Sequence, residues 1–116
     1  MAKYERAFTG NFDVFLKVIH HEVMSGSLSA SFEDGSDCEM NGVRCAVRVY
    51  ERYSMIGSNR VSLNITVLGS GDDVSISAIT SGGSQAVLFK INTFGESAFL
   101  DRVVDVVEDY ISRPHG

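Results

Sequence analysis

Two carboxylates stand where an alternating apolar pattern would place apolar side chains. Asp34 shares the parity of Phe32 and Cys38, and Glu51 shares that of Val49 and Tyr53. A carboxylate turned into a core is costly unless it is solvated or paired. The pair therefore implies a wet pocket or a rim, with Tyr53 beside it. An acid and a base meeting in a cleft have this composition. The blander alternative is a strand that bends at Gly35 and lets both acids reach water. His20 flanks the apolar stripe of a predicted helix and can edge into the same space. Its neighbour His21 points about 100° away, so the two cannot hold one metal as an i, i+4 pair would.

Arg44, Arg48 and Arg52 follow one another at intervals of four, with Tyr50 among them. That spacing suggests phosphate or nucleic acid, but residues four apart on a strand lie about 13 Å apart, too far to grip one phosphate together. Glu39, Asp37 and Glu33 are expected on the same wet face, as cross-strand partners of these arginines. Arg52 and Arg60, near the following turn, have no obvious acidic neighbour and stand as anion contacts. Cys38 and Cys45 form no CxxC and have no second pair, which makes neither a disulfide framework nor a zinc site. Their expected role is reduced and core-filling.

Two glycine-rich segments, Gly69-Ser70-Gly71-Asp72-Asp73 and Ser81-Gly82-Gly83-Ser84-Gln85, lack a Walker lysine and read as turns. There is no G-x-S-x-G elbow, no HExxH, and no Cys-His or Ser-His-Asp constellation. No enzyme signature, metal or cofactor follows from the residues. Asp34, Glu51, Tyr53 and His20 are assigned to ligand binding.

The elements that must position these side chains show in two periodicities. Phe12, Phe15, Leu16, Ile19 and Val23 fall on one helical stripe, with Thr9, Gly10 and Asn11 able to cap its start and Ser25-Gly26 to end it. A second helix of about five turns begins at a capping box, Thr93 to Glu96, and stops near Arg113-Pro114. Between them the period is two: Leu28, Ala30, Phe32; Val43, Cys45, Val47, Val49; Val61, Leu63, Ile65, Val67; Val74, Ile76, Ala78. Short strands are expected around Tyr4–Phe8 and Val87–Ile91.

Asn41-Gly42 between two alternating runs is a tight hairpin signal. It sets Met40 opposite Val43, Cys38 opposite Cys45 and Asp34 opposite Val49. Read this way, Leu28, Ala30, Phe32 and Cys38 join Cys45, Val47 and Val49 on the core face. The fold class is α+β, an antiparallel sheet of five or six strands with two helices on one face, and residues 1–116 form a single domain.

The net charge of −5 disfavours nucleic acid and anionic membrane as partners, since both are bound through excess positive charge. No apolar run approaches the roughly 18 residues that span a bilayer. Met1 through Arg6 run straight into charged residues without a signal-peptide stretch, so a cytoplasmic setting is expected.

The stretches Asn41 to Arg44, Val49 to Tyr53, Gly82 to Gln85 and Phe89 to Glu96 resemble an uncharacterised bacterial family of short single-domain proteins, a domain of unknown function. That resemblance implies no activity, cofactor or catalytic residue. The element order also resembles the TATA-box-binding-protein-like and helix-grip folds, whose members often hold apolar ligands between a curved sheet and a long C-terminal helix. A DNA saddle presents apolar wedges and basic residues on its open face. Here Ser29, Ser31, Ser62, Asn64, Thr66, Ser75 and Ser77 are expected there, which disfavours DNA.

Three functions are expected in descending order. The first is a non-catalytic module holding a small molecule between the sheet and the last helix. The second is a homo-oligomer using the Ser/Thr-rich sheet face or the wide apolar arc of that helix. The third is an enzyme built on Asp34 and Glu51.

Overall fold

The structure is a computed structural model. It describes residues 1–25, 30–54, 59–82 and 89–113, for residues 53, 54, 59 and 89–98 the backbone only. The elements run β1 (Ala2–Thr9), α1 (Phe12–Ser25), β2 (Ser31–Met40), β3 (Val43–Ser54), β4 (Asn59–Ser70), β5 (Asp73–Gly82) and α2 (Phe89–Ser112). Among the described residues, five strands form one antiparallel sheet in the order β1-β5-β4-β3-β2. Both helices lie on one face of it and share a single core with it.

Turn chemistry sets the two tight hairpins. Asn41 and Gly42 both have positive φ, 52° and 81°, the type I′ reversal whose twist matches that of the flanking strands. The β2–β3 ladder then pairs Met40 with Val43, Cys38 with Cys45 and Asp34 with Val49, the register expected from the turn. Between β4 and β5 only Gly71 of the central pair has positive φ, 58°, as a type II′ turn requires of its first central residue.

Helix α1 starts where expected: the Asn11 side-chain oxygen accepts the Val14 N–H at 2.9 Å, an N-cap. The Gly10 N–H donates to the Asp72 carbonyl at 2.8 Å, which ties the helix entry to the β4–β5 turn. There Phe12 packs directly over Gly69, where any Cβ would lie 2.5 Å from its ring. Phe15 touches Phe8 of β1 and Tyr110 of α2 edge-on, at centroid distances of 4.8 and 5.2 Å. That arrangement suits aromatic quadrupoles and locks strand, first helix and last helix together.

Helix α2 begins at Phe89, four residues before the expected cap at Thr93, and its start takes in part of the expected strand at Val87–Ile91. Val87 and Leu88 lie outside the described residues. The alternation of Val87, Phe89 and Ile91 is too short to separate strand from helix by period alone.

One expectation is inverted. Side chains directly opposite in a ladder share a face, and Ala46, Arg48 and Tyr50 stand opposite Val67, Ile65 and Leu63. Those three β4 residues are fully buried under the helices. The even-numbered side chains of β3, with Arg44, Arg48 and Arg52 among them, therefore point toward the helix layer. Cys45, Val47, Val49 and Glu51 point to the open face, opposite Leu68, Thr66, Asn64 and Ser62. Cys38 is exposed and Cys45 half-buried, so neither fills the core.

The cause is the width of the helix layer. Helix α2 packs on β5, β1 and β4, and α1 packs on α2 and β4. The helix side of β3 is covered only near its middle, where Ala46 and Tyr50 are buried. Long arginines with aliphatic stems and wet heads suit the uncovered remainder. Arg44 lies 4.5 Å from the Phe12 ring centroid and pairs with Asp13 at 2.8 Å, and Arg52 lies 5.7 Å from that of Phe99. No described helix is long and apolar enough to cross a membrane.

At the other margin Glu108 of α2 accepts hydrogen bonds from the Tyr4 hydroxyl and from Arg6 Nε, the latter at 3.0 Å. The Tyr4 bond first, then Arg6, holds the Glu108 carboxyl below its ordinary 4.5. Burial, then the Glu108 carboxylate, pushes the Tyr4 hydroxyl well above its ordinary 10.0. A depressed carboxyl contributes stability that is whole above its unfolded-state value and is lost as pH falls through the folded one. Acid unfolding followed by circular dichroism should therefore show a loss of stability beginning near pH 4.5. Glu108→Gln should flatten that limb, and an unchanged limb would remove Glu108 as its source.

Candidate functional site

The sheet extends past the helix layer, and an open groove of about 590 Å³ lies between α1 and the β2–β3 hairpin. From α1 it takes Asp13, Leu16, Lys17 and His20, one turn apart on the side facing the hairpin. From β2 it takes Phe32, Asp34, Gly35 and Asp37, and from β3 Arg48.

A β-bulge shapes its upper wall. The register shifts between Phe32 and Asp34, so that Phe32 stands opposite Tyr50 and Asp34 opposite Val49. An extra residue in one strand flips the alternation on one side of it. Phe32 thereby turns to the helix side, apart from Cys38, with which its parity in the sequence had grouped it.

The Phe32 ring meets His20 edge-on at 5.4 Å and Tyr50 at 5.7 Å. His20 Nδ1 and the Tyr50 hydroxyl share a hydrogen bond of 2.8 Å. Three elements thus meet in one aromatic cluster with a polar bond at its base. Tyr50 has no exposed surface, and burial pushes its hydroxyl up to about 12 while the Arg48 charge opposes that rise. The phenol stays protonated at neutral pH, and His20 is the partner that satisfies it.

Arg48 forms the lower wall. Its Nη1 donates to the Val47 carbonyl at 2.9 Å and, more weakly, to the Ser36 carbonyl at 3.4 Å, while Nη2 donates to Asp37 at 3.0 Å. Its side chain is only 17% exposed, so these bonds hold the guanidinium in one place. Asp34, at the rim of the groove, accepts the Gly35 N–H at 2.8 Å through Oδ1 and stands opposite Val49 in the ladder. The groove therefore offers an aromatic wall, a fixed guanidinium and carboxylates within one volume. Among the described residues no cluster of three or more His, Cys, Asp or Glu could hold a metal ion.

Of the residues singled out in the sequence, His20 and Asp34 meet here. Glu51 does not. It lies on the open face of the sheet, away from the groove, and pairs with Arg60 at 3.0 Å, an acidic partner for Arg60 that the sequence did not reveal. Asp34 stands opposite Val49, whose open-face parity Glu51 shares, and the group that engages Glu51 there is Arg60 rather than Asp34. Arg52 lies on the helix side at the far end of β3, and its Nε and Nη1 are buried without a hydrogen-bond partner. The Tyr53 side chain lies outside the described residues. Tyr50, Phe32, Arg48 and Asp37 were not foreseen as site residues. The signal that could have found them was the matching of β3 to the clear alternation of β4, but the stretch Met55-Ile56-Gly57-Ser58 carries no two-residue Asn-Gly signal that would fix its register.

The space between α2 and the sheet, where a ligand was expected, is occupied by Phe99, Val103 and Val107, all buried. A hollow of about 530 Å³ runs instead between the outer sides of the two helices. The charges around it pair with one another, Arg102 with Glu22 at 2.9 Å and Arg113 with Asp109 at 2.7 Å.

Residues 1–111 match the family described as a family of unknown function, DUF6054, and the chain belongs to it. No curated protein matches the chain. Among solved structures, that of TTHA0849 from Thermus thermophilus is similar over 95% of each chain, at 8% identity and a TM-score of 0.38.

Tyr50→Phe keeps the ring and removes only the hydroxyl shared with His20. It should lower unfolding free energy by about 1 kcal/mol, measured by urea denaturation. An unchanged midpoint would mean that water replaces the bond without loss.

Proposed function

We propose that this chain is a small, non-catalytic ligand-binding module whose ligand occupies the groove between α1 and the β2–β3 hairpin. The observation that carries this reading is the His20–Tyr50 hydrogen bond beneath Phe32, in a groove that also holds the anchored Arg48. Binding sites combine an apolar wall with a few fixed polar groups in this way. With Nδ1 committed to Tyr50, the imidazole still has Nε2 for a ligand. The ligand that suits these groups is a small molecule with a flat apolar body to lie on Phe32. It would carry an anionic group for Arg48. The proposal takes in the cytoplasmic setting, the bacterial source and the helix-grip-like arrangement expected from the sequence.

Native mass spectrometry of protein purified from its own host tests it. The expected result is a bound small molecule whose affinity falls at least about tenfold, roughly 1.4 kcal/mol, in Phe32→Ala. Protein without any adduct, or an adduct that Phe32→Ala holds as tightly, would remove the reading.

A second reading, self-association, is favoured by the open face of β3. Val43, Cys45, Val47 and Val49 run along it beside Leu68, with Val43 and Leu68 38% and 43% exposed. An uncovered apolar stripe of this kind often marks an interface. Sedimentation at micromolar concentration should then show a dimer that Val47→Lys dissolves, and a monomeric wild type would dispose of it.

A further inference from the structure

The ligand groove makes no use of the two cysteines, which face away from it. Cys38 and Cys45 are directly opposed in the β2–β3 ladder, and both are free thiols. Counting outward from the Asn41-Gly42 turn, Met40 and Val43 close the hairpin as a hydrogen-bonded pair, so Cys38 and Cys45, two steps out, are hydrogen-bonded as well. Cα atoms in such pairs lie about 5.5 Å apart, inside the range of roughly 4.4–6.8 Å that a disulfide bridges. The two Cβ atoms leave the sheet on the same side.

We infer that Cys38 and Cys45 form a reversible thiol–disulfide site on the open sheet face, exchanging with a small-molecule disulfide such as oxidised glutathione.

The two thiols have different parts in the exchange. Cys38 lies in edge strand β2, every residue of which is exposed, and a dissolved disulfide can reach it. Cys45 is half-buried, and burial first, then the neighbouring Cys38 thiol, pushes its own thiol upward. A thiol held up in this way is a slow nucleophile toward solvent, but it needs only to attack the sulfur beside it. The Cys38 thiolate attacks one sulfur of oxidised glutathione, forms a mixed disulfide and releases one glutathione thiolate. The Cys45 thiolate then attacks Cys38 Sγ, closes the intramolecular disulfide and releases the second. The protein loses two electrons and two protons, and both are recovered as two molecules of reduced glutathione. Cross-linking at a hydrogen-bonded ladder pair, whose Cα atoms are held by two backbone bonds, leaves the bridge little room to relax. Strained bridges are the readily reduced ones, so excess reduced glutathione should reopen it.

The test incubates the full chain with oxidised and reduced glutathione at ratios on either side of unity, followed by acid quench, alkylation and intact mass spectrometry. With roughly tenfold excess of the oxidised form, the expected product is a monomer lighter by two hydrogens that takes up no alkylating agent. Reversing the ratio should restore both reactive thiols. Cys45→Ala should stop at a stable single glutathione adduct on Cys38. Cys38→Ala should form its adduct at least about tenfold more slowly. Persistence of a glutathione adduct on the wild type without closure would overturn the inference. So would a disulfide joining two chains, or two thiols that stay fully alkylated at every ratio.

Discussion

The pairing of β3 with β4 governs both surfaces of this protein. It sets Tyr50 opposite Leu63 and Ala46 opposite Val67, and these β4 side chains belong to the core under the helices. Because alternation in a strand is strict, one such match decides every other side chain on β3. A slip of a single residue would bring Val47 and Val49 under the helix layer and expel Tyr50. The His20 bond, the guanidinium wall and the apolar stripe on the far face are all consequences of this one register.

The second constraint is geometric. Two helices do not cover five strands, and here they leave the β2–β3 side bare. A bare flank on the helix side is a groove by construction, bounded by α1 on one side and by the edge hairpin on the other. The flank can therefore hold Arg48 and Asp37, paired at 3.0 Å, without burying an unpaired charge. It also explains why β2 is exposed along its whole length and carries Glu33, Asp34, Asp37 and Glu39. Charge on an exposed edge discourages pairing with a further strand. The groove and the protected edge are two results of the same incomplete coverage.

The opposite face has a different logic. On β4 and β5 it is Ser62, Asn64, Thr66, Ser75 and Ser77, as expected from their alternation. On β3 it is valine and cysteine. β3 is thus more apolar toward the open side than toward the helices, apart from Ala46 and Tyr50. A strand written this way has two partly apolar faces, and its open one presents the thiols beside the valines.

The tight turns, the first helix with its Asn11 cap, the alternation of β4 and β5 and the register of the β2–β3 hairpin were all legible in the sequence. Each depends on contacts between near neighbours: a side chain capping its own helix, a positive φ at Asn41, a period of two. Two residues of the groove, His20 and Asp34, could be named from the same local patterns. The facing of β3 could not, because alternation reveals parity but not which parity is inward, and on β3 the apolar set marks the wrong side. Nor could the bulge at Phe32, the early start of α2 at Phe89, or the meeting of His20 with Tyr50 across 30 residues. Those were decided by where the helix layer ends, which is a balance of packing over the whole sheet and is written in no single segment of the chain.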